Sequence, residues 1–429
     1  MNRRLSSLIL IGLALSMLGL AAWIGAHSRD GGERDVKPAL GSDAPAGVRF
    51  VTVALGGFRG LLADYLWLRA SDLQDEGRFF EVAQLADWIT RLQPRYPEVW
   101  AYHAWNMTYN ITAVIADPAD RWHWVRNGVR LLRDEGIPSN PRDPKLYWEL
   151  GWIFYDKVGG RWDEATLFYR ISWAGEMSEA MSGAGDDAAR RLAAKGLDPV
   201  RMKAVDREYG PLEWRLPESH ALYWGYCGLP YQQSDSRWCE RLVWMGMVET
   251  LKNGALAYSP AQRIYVQGPR LDVAAKGVRL CAERAAGVEP LVRLVMVNFL
   301  REAILCFDVF GKTREAEVAL SVLKRLPDQQ GADMALKDFI GQEIHAQVKL
   351  QDAAGRREHI VRLLTRSDSW RRLTVAQYAD GYELQARLYH EAWVKEDKTA
   401  PSWDVLQGEG RERALRDMPE SPKTQPQSP

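Results

Sequence analysis

The sequence predicts an all-α protein built from antiparallel helix pairs, and three observations carry this prediction. Apolar residues recur at spacings of three and four along most of the chain, which is the periodicity of one helix face. Glycine and proline fall between these segments, where turns are needed. Strand-like patterning is confined to residues 255–267, which we predict to form a short hairpin around Ser259-Pro260.

Composition limits the classes of partner. The chain has 56 basic and 56 acidic residues, so it has no overall positive charge to attract nucleic acid, and we expect no DNA or RNA partner. Its 18 Trp and 16 Tyr exceed the 10 Phe. Trp and Tyr combine a large apolar area with one polar group, so these side chains either pack between helices or line a groove.

The N-terminus carries a predicted membrane anchor. Arg3 and Arg4 precede an uncharged apolar run from Leu5 to Ala26, which is long enough to cross a bilayer as a helix. Basic residues before the run favour a single-pass protein of the cytoplasmic (inner) membrane with its soluble domain outside. A cleaved signal peptide is the alternative, but bulky Ile24 makes a poor cleavage site. Residues 27–47 are predicted to be a flexible tether.

A repeat-like pattern begins at Gly77. Gly77 can form a tight turn between two helices, and Pro94 stops the second helix seventeen residues later. Pro97, Glu98 and Trp100 then open the next helix. This pattern resembles the tetratricopeptide repeat, in which stacked helix pairs form a solenoid.

Two further segments resemble the same repeat. Tyr147, Leu150, Gly151 and Phe154 match the family's first-helix signature, and residues 160–165 resemble the start of its second helix. Residues 311–316 give another match, with Pro327 near the helix end. The resemblance divides the chain into an anchor or signal at 1–26, a tether at 27–47, repeats at 48–175, a divergent helical insertion at 176–288, C-terminal helical repeats at 289–400 and a mostly disordered tail at 401–429.

Motifs for catalysis are missing from the sequence. Gly311-Lys312-Thr313 is not the end of a phosphate-binding loop, because Cys306 occupies the position of the required first glycine. Neither a zinc-binding His-Glu-x-x-His helix nor a Gly-x-Ser-x-Gly elbow occurs. We therefore expect no catalytic residue, metal or cofactor. For the four cysteines, Cys227, Cys239, Cys281 and Cys306, buried free thiols are favoured over a Cys227–Cys239 disulfide.

The resemblance implies a ligand groove on the concave face of the first helices. Its register places these residues there: Asp64, Trp67, Ser71, Gln74 and Asp75, then Glu98, Ala101, Trp105, Thr108 and Tyr109, then Lys145, Trp148, Trp152, Tyr155 and Asp156. Aromatic walls suit an extended peptide or sugar chain, so the predicted groove residues are Trp67, Trp105, Tyr109, Trp148, Trp152 and Tyr155. Trp100 and Tyr147 should instead be core. The alternative is that an additional N-terminal helix or the segment 177–252 covers the groove residues and makes them core as well.

The sequence thus predicts a non-catalytic scaffold that is tethered to the membrane and holds other proteins, as part of an envelope assembly, on the extracytoplasmic, periplasmic side. A glycan-cleaving enzyme of the cell envelope is the alternative, with Glu213 as a weak candidate for a single catalytic carboxyl. A glycan- or peptide-binding module without catalysis is a third reading.

Overall fold

The structure of this protein, a computed structural model, describes residues 46–160, 162–183, 185–233, 237–285, 287–327 and 333–416. The predicted anchor at 1–26 lies outside the described residues, as do 27–45 of the predicted tether and residues 417–429 of the predicted tail. Within the described ranges, no helix is both long enough and apolar enough to cross a membrane. The chain divides into two compact units, Met1–Ile111 and Thr112–Pro429.

The described chain is mostly helical, which confirms the all-α prediction. The first unit contains α1 (Ala46–Asp75), α2 (Phe79–Leu92), α3 (Pro97–Trp105) and a π-helical segment, Asn106–Ile111. The first helices of the second unit are α4 (Pro118–Arg130), α5 (Ile137–Ser139), α6 (Pro144–Trp152), α7 (Thr166–Ala180), α8 (Asp186–Ala194) and α9 (Pro199–Glu208). π-helical segments follow α4 at Leu131–Gly136 and α6 at Ile153–Val158.

The remaining elements also belong to the second unit. They are α10 (Pro217–Gly228), a 3₁₀ turn (Leu229–Tyr231), α11 (Trp238–Asn253), β1 (Ala255–Ser259), β2 (Ile264–Gly268), α12 (Leu271–Arg284), α13 (Pro290–Val309), α14 (Thr313–Lys324), α15 (Leu336–Lys349), α16 (Ala353–Arg372), α17 (Ala376–Glu396) and α18 (Trp403–Arg416). β1 and β2 pair antiparallel, with Tyr258 opposite Tyr265, so the predicted hairpin is confirmed.

The turn and the helix starts in the first unit follow the sequence signals. Gly77 has a φ of 72°, in the left-handed region that glycine tolerates best, and it lies between α1 and α2. Pro97 stands in the first turn of α3, where its missing N–H is not needed. The indole N–H of Trp100 donates to the carbonyl of Pro94 at 2.8 Å, and its side chain is buried. The signature residues therefore anchor α3 to the turn before it.

The start of the second helix near Gly160 was predicted wrongly. The helix α7 begins at Thr166, and Asp163 forms a turn by accepting the N–H of Ala165 at 2.9 Å. Lys157 and Arg121 both pair with Asp163, at 2.6 and 3.1 Å. Two cations thus hold Asp163 in a turn. The pair with Arg121 joins residues that are far apart in the sequence, so the local match to the repeat does not predict it.

Segment 177–252, predicted as part of a divergent insertion, packs closely against α6. A Cβ added at Gly151 would lie 2.6 Å from Leu242 Cδ2 and 3.1 Å from the carbonyl oxygen of Ala221. Helices α10 and α11 therefore cover the side of α6 that carries Gly151, while Trp148 and Trp152 stay half-buried.

The C-terminal prediction needs a correction. Residues 403–416 of the predicted disordered tail form α18, which packs on α16. Leu406, Gly410 and Ala414 recur at a spacing of four and are buried. A Cβ on Gly410 would lie 2.6 Å from Leu364 Cβ, so the contact is close. A buried helical stripe of small and apolar residues explains why this segment is ordered.

Candidate ligand-binding surfaces

The first unit has a cavity of about 1,200 Å³ beside α1 and the turn between α2 and α3. Its lining includes four residues that the register places on the concave face: Asp64, Trp67, Ser71 and Glu98. Leu68, which is 71% exposed, adds apolar surface. Of the predicted groove residues of the first unit, this cavity therefore includes Trp67 but not Trp105 or Tyr109.

Trp67 links this cavity to the core of its unit. Its ring lies 4.8 Å from that of Tyr102, and the side chain also packs against the buried cluster of Leu66, Ile89 and Val99. The Tyr102 hydroxyl donates to Gln74 Oε1 at 2.6 Å. Trp67 is therefore half-buried, fixed on one side and open to the cavity on the other.

The next predicted groove positions of the first unit divide into two groups. Trp105 is 44% exposed and stacks on half-buried Tyr109, with ring centroids 4.0 Å apart. Ala101 and Thr108 are buried, so their assignment to the groove was wrong. For Thr108, the register assumed an α-helix through Asn106–Ile111, whereas this segment is π-helical and its i→i+5 hydrogen bonds turn different residues inward.

The second unit carries a row of four aromatic rings, Trp238, Trp148, Trp152 and Tyr155, which we call the aromatic row. Successive ring centroids are 5.9, 5.4 and 5.4 Å apart. Spacings of four and three residues put Trp148, Trp152 and Tyr155 on one helix face. These three side chains are half-buried, and Trp238 is 41% exposed. Sequence reasoning missed Trp238, because it lies on α11 and only the tertiary fold brings it to α6.

Glu149 lies on α6 next to the aromatic row. Burial raises the pKa of its carboxyl to about 7, and the nearby charge of Lys145 lowers it by less. A carboxyl that is part-protonated near neutral pH can donate or accept a proton, which is a property of many functional sites. The sequence holds no signal for this residue, since its burial depends on the elements packed around α6.

Glu213, the residue proposed as a catalytic carboxyl, is held by its neighbour. Its two carboxylate oxygens accept from Arg215 Nε at 2.7 Å and from the terminal guanidinium nitrogen at 2.8 Å. The expectation of an isolated carboxyl is therefore wrong for Glu213, because the guanidinium occupies both oxygens.

Core predictions for the signature residues are confirmed. Trp100 and Tyr147 are 4% and 7% exposed, respectively.

The four cysteines are buried with free thiols, as favoured from the sequence. Burial raises the pKa of the Cys239 thiol to about 12, so this residue is a poor nucleophile.

Comparison with protein-family models, with curated proteins and with solved structures gives no match for this chain. The tetratricopeptide resemblance therefore depends on the motifs and on the helix pairs that they predict. Among the described residues, no group of three or more His, Cys, Asp or Glu side chains could hold a metal ion.

Proposed function

We propose that this protein is a non-catalytic scaffold of the tetratricopeptide type, tethered to the membrane by residues 5–26, that binds segments of partner proteins on the extracytoplasmic side. The observation that carries the proposal is the cavity of the first unit. Four side chains that the repeat register assigns to a ligand face line this one cavity: Asp64, Trp67, Ser71 and Glu98.

The lining of this cavity suits a peptide better than an ion or a small metabolite. Trp67 and Leu68 offer an apolar floor, on which a buried side chain of the partner would gain most of its binding free energy. Arg59 and Arg95 stand among the lining residues with Asp64 and Glu98, so charges of both signs surround the floor. Mixed charges and an open groove favour an extended segment with an apolar anchor residue.

Photocrosslinking in intact membranes tests the proposal. Benzoylphenylalanine at exposed Ser71, inside the cavity lining, should capture discrete proteins. The same group at exposed Gln84, on α2 and outside the lining, is the matched control. Identical captured proteins at both positions would contradict a specific site.

Two leucines on α1 sharpen this experiment. Leu68→Glu puts a charge on the cavity floor and should abolish the Ser71 crosslinks. Leu61→Glu changes a side chain of similar exposure, 67% against 71%, that is not in the lining, and should leave them intact. Equal effects of the two substitutions would count against the cavity as the binding site.

A glycan-cleaving or glycan-binding role is the second candidate, and the position of Glu149 beside the aromatic row favours it. Aromatic rings stack on sugar rings, and a carboxyl with a pKa of about 7 is suited to act as a general acid. Purified protein would be incubated with cell-wall glycan. Product formed by the natural chain and lost in Glu149→Gln would replace the scaffold proposal with an enzymatic one.

A further inference from the structure

The second unit contains a cavity with a strongly basic lining, far in sequence from the predicted groove residues. It has a volume of about 580 Å³ and lies between the β1–β2 hairpin, α7, α16 and α18. The lining that the structure describes has one carboxylate, Glu358. It has six arginines: Arg170, Arg263, Arg362, Arg366, Arg372 and Arg413. We call this space the arginine cavity.

Carboxylates balance part of this charge. Three pairs are formed, each at 2.7 Å: Arg170 with Glu218, Arg372 with Asp368 and Arg413 with Glu358. The Arg170–Glu218 pair is deeply buried and belongs to the wall of the cavity. These pairs support the local fold, so the case for a ligand depends on the other arginines.

Arg366 is held by neutral groups. Its guanidinium donates to Asn253 Oδ1 at 2.7 Å and to the Tyr382 hydroxyl at 3.4 Å, and it lies 5.5 Å from the centre of the Tyr382 ring. Within the described ranges no carboxylate forms an ion pair with it. A half-buried positive charge without a counter-charge costs free energy, and an anion in the cavity would remove that cost.

A hydrogen-bond network orients Arg366 before any ligand arrives. The side-chain amide of buried Asn253 donates to Glu249 Oε2 at 2.9 Å, which leaves its oxygen facing Arg366. Gln267 donates to the main-chain carbonyl of Asn253 at 3.2 Å and accepts from Arg170 at 3.2 Å. Two arginines of the cavity are thus held by one connected set of side chains, which is the arrangement expected of a preorganised site.

The rest of the lining limits the class of ligand. Leu167, Ile264, Val266 and Leu373 add apolar surface. A volume of several hundred Å³ suits a small molecule rather than a folded partner. A phosphate group offers at least three acceptor oxygens and up to two negative charges, against two oxygens and one charge for a carboxylate, so it is the better match for several guanidiniums.

We propose that the arginine cavity binds a small molecule with a phosphate group and an apolar part, and that Arg366 is its main charge partner. Such a molecule could be a soluble phosphorylated compound or the phosphate headgroup of a lipid. The site is separate from the proposed peptide-binding cavity, so an experiment on the arginine cavity tests only this second proposal.

Calorimetric titration of the full-length chain in detergent tests this proposal. The titrants are inorganic pyrophosphate, short-chain phosphatidic acid and, as a lipid without a phosphate group, short-chain diacylglycerol. Arg366→Gln should weaken phosphate binding about tenfold or more, because a charge-assisted hydrogen bond is lost. Arg357→Gln is the matched control, since Arg357 is on the same helix but outside the lining and pairs with Glu409. It should change the affinity less than about twofold.

The outcomes separate the two sources of phosphate. Saturable binding of pyrophosphate that Arg366→Gln weakens supports a soluble ligand, and the same dependence with phosphatidic acid alone supports a lipid headgroup. Arg362→Gln changes a second lining arginine, which donates to neutral His359, and a loss of phosphate affinity in it supports the proposal if melting curves show that Arg366→Gln is not folded. No binding of either phosphate, equal binding of diacylglycerol, or equal loss in the Arg357 control would overturn the proposal.

Discussion

Helix α3 of the first unit and helix α6 of the second carry motifs that resemble the same repeat, yet their surroundings differ. On α3, Trp105 is 44% exposed, and α1 of the same unit presents Leu61, Tyr65 and Leu68 to solvent. On α6, the helices α10 and α11 pack so closely that Gly151 has no room for a methyl group. The motif therefore predicts where a helix begins and which residue is core, while the neighbouring elements decide how much of its other surface is covered.

The largest expected difference in stability is between substitutions of two tryptophans on α3, Trp100 and Trp105. Trp100→Ala should lower the free energy of unfolding by about 3–5 kcal/mol, because a buried ring and its hydrogen bond to Pro94 are lost. Trp105→Ala should cost less than about 1 kcal/mol, since half of that side chain already faces solvent. Urea unfolding followed by circular dichroism measures both. Similar losses of unfolding free energy in the two variants would show that side-chain exposure does not explain the difference between these positions.

A pair of glycine substitutions compares the two units directly. Gly151→Val should destabilise by about 2 kcal/mol, because its branched side chain would overlap Leu242 and the carbonyl of Ala221. Gly77→Ala meets open space and should cost about 1 kcal/mol, from the left-handed φ of 72° alone. Thermal unfolding of both variants checks the order. A larger loss at Gly77 would mean that turn strain outweighs the packing around α6.

Each unit has a buried histidine, so the two units can also be compared through the pH dependence of stability. Burial lowers the pKa of His103 in the first unit and of His220 in the second to about 4. Each pKa is below the unfolded value of about 6.5. The contribution of each histidine to stability is therefore fully present above pH 6.5 and is lost as the pH falls towards 4. Between pH 7.5 and 5.5, each histidine should cost about 1 kcal/mol.

Substitution separates the two histidines. Both ring nitrogens of His103 lack a hydrogen-bond partner in the described chain, so His103→Leu should remove the acid sensitivity without weakening the protein at pH 7.5. His220 Nε2 lies 2.8 Å from the carbonyl oxygen of Trp214, so His220→Leu should destabilise at both pH values. The urea concentration at the unfolding midpoint, measured at pH 7.5 and 5.5, distinguishes the two variants. Equal changes of this midpoint in both variants would refute the predicted difference.

The smallest effect is expected at Glu149, with the opposite sign. Its pKa is raised by burial to about 7, so the folded state holds the proton more tightly than the unfolded state does. The contribution of Glu149 to stability should be fully present below pH 4.5 and should be lost as the pH rises through 7. Glu149→Gln should therefore stabilise the protein at pH 8 by about 1 kcal/mol, a figure discounted because the side chain is only half-buried. Glu164→Gln, at an exposed position, should have no such effect.

Several turns and helix ends could be predicted from local signals. Gly77, Pro94 and Pro97 marked the first helix pair correctly, and the Gly311 turn between α13 and α14 also has the left-handed φ that glycine favours, 76°. The hairpin at residues 255–268 followed from its β-branched and aromatic residues around a proline. Such signals act within a few residues, so they need no knowledge of the fold.

The candidate sites were only partly predictable. Asp64, Trp67 and Ser71 share one face of α1 through spacings of three and four, which the sequence contains, whereas Glu98 on α3 joins them in the cavity when the helices pack. The register failed at Thr108, where a π-helical segment turns that side chain inward. Trp238 and Arg366 depend on contacts across many residues, such as the hydrogen bond from Arg366 to Asn253, so no local pattern identifies them.

The sequence by itself determined the all-α class, the helix ends marked by Gly77, Pro94 and Pro97, the short hairpin and the core role of Trp100 and Tyr147, because periodicity, glycine and proline act on the nearby backbone. Only the tertiary structure decided which aromatic rings stay half-open, why Glu149 titrates near neutral pH and where six arginines converge. Burial and charge pairing depend on segments that are distant along the chain, and those distances are set when the helices pack.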